Sequence, residues 1–221
     1  MALFPNKPNH DYKGSKIAIY GLYPIFVLYI FRSLVHFLSE NAGLVGIATI
    51  KELPIIDNQL IPNDTPGLEI LPFVVDHYPV NSAFGFKISY KGRTVVISGD
   101  TIHDGSVQKY SKNVDLLVHS AISIDIVERM RKLAPIPQMD KILLDIQDYH
   151  TSIKEAGEIA RDANVKHLLI YHSIPTPRNT LMERVFFRPI KGIFEDYTLS
   201  DDGTRVVMPV GNNEIIIDEI N

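Results

Sequence analysis

Cysteine is absent from all 221 residues. That excludes a disulfide framework, a thiolate nucleophile and any thiolate-ligated metal. Any metal must therefore be held by His, Asp or Glu. An excess of positive charge is also missing: 22 Lys and Arg stand against 26 Asp and Glu, a net charge of -4. No global field favours nucleic acid as a partner. Met1 to Lys16 is polar and contains proline rather than a basic region followed by an apolar core, so no signal peptide is expected. A long hydrophobic run is lacking as well. Ile17 to Leu38 is broken by Arg32 and His36, with Pro24 after Gly21. The uncharged run between Lys16 and Arg32 falls short of the roughly 20 residues needed to cross hydrocarbon. A buried strand and helix are expected there instead of a membrane span, and the chain is expected to be cytoplasmic.

With 45% hydrophobic residues the chain can bury a core of ordinary size. Residues 1–15 are expected as a flexible tail and 16–221 as one domain. Lys16 to Tyr20 reads as a strand and Phe26 to Leu38 as a helix. After the turn-rich segment Pro54 to Gly67, strands are predicted at Leu68 to Val75, Ala83 to Tyr90 and Thr94 to Ser98, the last two joined by a Lys91-Gly92 hairpin turn. Asp115 to Val118 and Val165 to Tyr171 read as buried strands. Glu128 to Lys132 reads as a helix stopped by Pro135 and Pro137. Ser152 and Glu155 have capping-box spacing ahead of an apolar face of Ile153, Ala156, Ile159, Ala160 and Ala163, which predicts a helix. Two late strands are expected at Arg205 to Met208 and Glu214 to Asp218. The mixed basic and aromatic stretch Met182 to Phe194 reads as an amphipathic packing face.

Polar residues of metal-binding type recur where these strands stop: His77, Asp100, His119 and His172. In α/β folds sites gather at the carboxyl ends of strands, so such residues can converge on one edge. Imidazole and carboxylate groups suit zinc and related ions, and a carboxylate can bridge two of them. A single residue of this kind has an ordinary structural reading: Asp100 starts a turn, and His150 precedes a helix.

The order of motifs adds more. His77-Tyr-Pro-Val-Asn-Ser-Ala-Phe-Gly-Phe, the hairpin into Ser98-Gly99-Asp100-Thr101, the strand into His119-Ser120-Ala121, His150-Thr-Ser-Ile-Lys-Glu-Ala and the strand into His172-Ser-Ile-Pro resemble ribonuclease Z-like members of the metallo-β-lactamase superfamily. The resemblance implies an α+β fold of the metallo-β-lactamase αβ/βα sandwich type. It implies His77, Asp100 and His172 as metal ligands, with Asp100 bridging two zinc ions. His150 matches the family histidine that donates a proton to the leaving oxygen. The implied activity is metal-dependent hydrolysis of a phosphodiester or another ester by metal-activated water.

Three departures qualify those expectations. The family's His-x-His-x-Asp-His cluster is absent, since the eight histidines include no His-x-His pair. The chain is expected to represent the C-terminal part of the domain with N-terminal strands missing, leaving an exposed edge that favours homo-oligomers. Three ligands, one shared, leave each ion two protein contacts, so weak zinc binding and impaired activity are expected. The family's His-Glu-Ala-Thr is replaced by His119-Ser120-Ala121-Ile122, and the Lys91-Gly92 hairpin has no room for a tRNA-binding arm. A small-molecule or phosphodiester substrate is therefore favoured over nucleic acid. Ribonuclease Z-type tRNA 3′ processing and a non-catalytic fragment or pseudoenzyme stand as alternatives.

Overall fold

The computed structural model describes residues 55–220. The expected tail, the strand from Lys16 and the helix from Phe26 lie outside the described residues. A six-stranded sheet in the order β1-β2-β3-β4-β5-β6 forms the frame. Strands β1 (Leu68–His77), β2 (Val80–Tyr90) and β3 (Arg93–Ile97) form an antiparallel meander. Strands β4 (Leu116–Ile122), β5 (His167–Ile174) and β6 (Tyr197–Leu199) continue it in parallel. Tyr90 pairs with Arg93 across Lys91 and Gly92, whose φ values of 47° and 81° are those a two-residue hairpin turn requires.

Alternation along the strands sends Phe73, Val96, Leu117, Leu168 and Ile170 into one core, where all five are fully buried. Among the described residues five α-helices occur in chain order: α1 (Ser106–Tyr110), α2 (Ile124–Lys132), α3 (Pro137–Asp145), α4 (Ile153–Asp162) and α5 (Thr180–Phe186). Helix α4 covers the core with Ile153, Ala156, Ile159 and Ala160. Its predicted capping box is present: the Ser152 hydroxyl accepts from the Glu155 amide while the Glu155 carboxylate accepts from the Ser152 amide. Burying each large side chain of this core, such as Phe73, Leu117 or Ile159, contributes about 1.5–3 kcal/mol. Gly157 lets Ile190 approach so closely that a Cβ there would lie 2.3 Å from Ile190 Cγ1. Phe186, Phe187 and Ile190 are buried while Arg184, Arg188 and Lys191 are exposed, the amphipathic packing expected of that stretch.

The two late strands, β7 (Thr204–Val207) and β8 (Ile216–Glu219), pair as a separate ribbon. The buried Arg93 guanidinium fastens their connection to the sheet by donating to the Asn212 and Glu214 carbonyls at 2.7 and 2.9 Å, beside Asp115 at 3.4 Å.

One expectation is corrected. His119 does not stand where a strand stops, because β4 runs on to Ile122. The physical reason is its central position between β3 and β5: with both faces covered, the strand stays buried through Leu117, His119, Ser120 and Ala121.

Candidate metal centre

His77, Asp100, His150 and His172 come together beyond one end of the sheet, and short polar bonds set their positions. His77 ends β1, Asp100 follows β3, His150 precedes α4 and His172 lies in β5. The Asp76 carbonyl accepts from the Ile102 amide at 2.9 Å and the Thr101 hydroxyl at 3.0 Å. The Thr101 carbonyl in turn accepts from the buried Thr151 hydroxyl at 2.7 Å, and the Thr151 carbonyl from the Ile122 amide at 2.9 Å. The loops bearing His77, Asp100 and His150 are thereby stitched together. Such support holds side chains at a site on rigid elements.

His172 is placed by a bulge. Ser120 pairs with Tyr171 and Ala121 with Ser173, so His172 is the extra residue, and its φ of 43° is unusual for a side chain with a Cβ. Bulges of this kind re-aim a side chain at a site. Its Nδ1 meets Asp100 Oδ1 at 2.8 Å. The ligating atoms of Asp100, His150 and His172 all lie within 4.8 Å of one another, a spacing that one metal ion can bridge. The His77 ring stacks on His150 at 5.3 Å and 24°, and both rings donate through Nδ1 to the Tyr149 carbonyl at 2.9 Å. A carbonyl cannot donate, so each ring carries its proton on Nδ1 and leaves Nε2 as the lone-pair nitrogen.

Burial alone would raise the Asp100 carboxyl, but the hydrogen bond and charge of His172, with the charges of His150 and His77, outweigh it and hold it below the ordinary range. Burial drives His150 down to about 4, with the neighbouring histidines adding to the effect against Asp100. The neutral imidazole suits a metal ligand at pH 7 better than a proton donor. The donor set fits a divalent transition ion of the zinc type, which takes His nitrogen and carboxylate oxygen.

The turn bearing Asp100 has its own support. Gly99 has φ 67°, and its carbonyl accepts from the Ser98 hydroxyl at 2.6 Å and the Ser120 hydroxyl at 3.2 Å. Ser120, which occupies the position of the family glutamate, thus braces the Asp100 turn. The sequence carried no signal for this role or for the bulge. A cavity of about 460 Å³ opens beside His77, lined among others by Asp57, Asp76, Tyr78, Asp104 and Lys109.

His119 lies fully buried on β4, donating through Nδ1 to the Ser120 carbonyl at 2.6 Å. Its Nε2 has no hydrogen-bond partner among the described residues. Burial lowers its pKa from 6.5 to about 4, against the opposing carbonyl hydrogen bond. The unfolded chain therefore binds this proton more readily, and stability is lost as pH falls from 6.5 towards 4. The shift corresponds to about 3 kcal/mol. His119→Phe is expected to flatten that part of the pH profile. Urea unfolding of both proteins at pH 5 and pH 7.5 measures it, and equal pH dependence would rule the assignment out.

No family model matches the chain. Over 112 residues, 51% of its length, it is 38% identical to a ribonuclease Z of Mycolicibacterium paratuberculosis, covering 37% of that protein. The same length is 38% identical to a putative ribonuclease Z of Mycobacterium tuberculosis, covering 46% of it. The matched segment spans less than half of these curated relatives. Partial structural likenesses include the metallo-beta-lactamase fold protein YhfI from Bacillus subtilis, with TM-score 0.46, 20% identity and 65% and 50% of the two chains covered. Human tRNase Z, short form, gives TM-score 0.38, 22% identity and coverages of 65% and 57%. The described region combines helices with a mixed sheet, an α+β arrangement. Over the matched segment the chain is similar to proteins named ribonuclease Z.

Proposed function

We propose that the chain is a metal-dependent hydrolase acting on a phosphodiester or another ester, with zinc as its metal. The observation that carries this reading is the gathering of Asp100, His150 and His172 within 4.8 Å, beside His77. When bound, the ion supplies Lewis acidity, polarising the ester and lowering the pKa of attacking water. Asp100 would supply the charge, His150 and His172 would supply ring nitrogens, and the Tyr149 carbonyl fixes the His77 and His150 rings by accepting from both. The cavity beside His77 has the volume of a small-molecule site. Its carboxylates Asp57, Asp76 and Asp104 outnumber Lys109, which disfavours a polyanion there.

A second reading, tRNA 3′ processing, is favoured by the identity to proteins named ribonuclease Z. The two-residue turn Lys91-Gly92 offers no arm for tRNA. The test is a zinc-loaded assay on bis(p-nitrophenyl) phosphate, p-nitrophenyl acetate and a precursor tRNA. Turnover of a small ester, suppressed by chelation, is expected. Cleavage of precursor tRNA alone supports the second reading, and absence of all three activities in a zinc-loaded chain supports the non-catalytic alternative.

A further inference from the structure

We propose that a buried cluster of three hydroxyls, those of Ser98, Ser120 and Tyr171, sets Asp100 and His172 against each other. The three are positioning residues and act through that pair. Its consequence for metal binding rests on the reading above, whereas the juxtaposition of Asp100 and His172 does not. Asp100 follows β3 and His172 lies in β5, with β4 between the two strands, yet Nδ1 and Oδ1 meet at 2.8 Å. A contact that spans an intervening strand needs support from that strand.

Ser98 and Ser120 are both fully buried. Besides the two serine hydroxyls that donate to the Gly99 carbonyl, the Ser120 amide donates to Ser98 Oγ at 3.3 Å and the Ser98 amide to the Val118 carbonyl at 2.9 Å. The Asp100 turn is thereby tied to β4. Tyr171 brings in β5: it pairs with Ser120 and is the last residue before the bulge that turns His172. Its buried hydroxyl bonds to the Ser98 side chain and the Gly99 backbone. Ser98 gives its one proton to the Gly99 carbonyl, so towards Ser98 the phenol is the donor. Burial and the nearby Asp100 charge raise the phenol's pKa, which keeps that proton in place. A satisfied polar network of this kind rigidifies one arrangement of the elements it joins. Here those elements carry Asp100 and His172.

Histidine-selective nitrogen-15 NMR on the metal-free full chain tests the cluster. The His172 Nδ1 proton, held by Asp100, is expected as a slowly exchanging resonance, assigned by its absence from His172→Gln. Tyr171→Phe and Ser120→Ala should each lose it while circular dichroism shows the fold retained. Zinc affinity, read by chelator competition, should fall about tenfold in each. The double variant should lose less than the two single losses combined, because the hydroxyls share one network. Ser111→Ala is the control: Ser111 is fully buried, but its hydroxyl has no hydrogen-bond partner among the described residues. It should keep both the resonance and the affinity. Absence of the resonance from the unsubstituted chain, its survival in both Tyr171→Phe and Ser120→Ala, or an equal loss in Ser111→Ala overturns the proposal. An unsubstituted chain that binds no zinc refutes the metal-dependent reading alone, since the resonance is read without metal.

Discussion

Asparagine in place of Asp100 is expected to lower zinc affinity about 100-fold or more, the largest functional effect of any single substitution at the centre. The exchange keeps the size of the side chain and one oxygen that can accept from His172, now at 2.8 Å from the carboxylate. It removes the negative charge. That charge is what the His172 hydrogen bond stabilises, as the depressed carboxyl pKa reflects despite burial. A neutral amide is also a poor ligand for zinc compared with a carboxylate. Competition for zinc with a chromophoric chelator measures the change, and an affinity within threefold of the unsubstituted chain excludes Asp100 as a ligand. A histidine set that includes His77 and one that includes His150 both require Asp100, so this result bears on the existence of the centre.

The candidate residues were legible because each follows or precedes an element with a strong local pattern. His77 ends the apolar run of β1, Asp100 follows the short β3, and His150 precedes a helix whose capping box is written in Ser152 and Glu155. His119 was misplaced for a related reason. A central parallel strand buried on both faces has no alternation, so LLVHSAI gives no sign of where it stops. The φ of His172 was illegible because positive φ at a histidine is imposed by the β4–β5 register shift, a tertiary feature without a residue signal. Strand β6 is three residues long and is held by pairing to β5, too little for periodicity to reveal.

The same limit makes Gly99 the most informative backbone position. Glycine in Ser98-Gly99-Asp100 reads from sequence as an ordinary turn residue, but two constraints act on it at once. Its φ is 67°, and an added Cβ would lie 2.5 Å from the Phe84 carbonyl oxygen, a backbone atom fixed in β2. Alanine should therefore incur about 1–2 kcal/mol for the left-handed conformation and a further 1–3 kcal/mol for overpacking. Gly92 is the control: its φ is 81°, yet nothing lies within 4 Å of the added Cβ, so Gly92→Ala meets only the conformational cost. Urea unfolding should show Gly99→Ala less stable than Gly92→Ala by the overpacking difference. Zinc affinity should fall in Gly99→Ala and not in Gly92→Ala, because relieving the Phe84 contact by movement of the turn displaces Asp100. Equal stability of the two variants would show that β2 yields at Phe84, and unchanged zinc affinity would show that the Asp100 carboxylate is set independently of its turn.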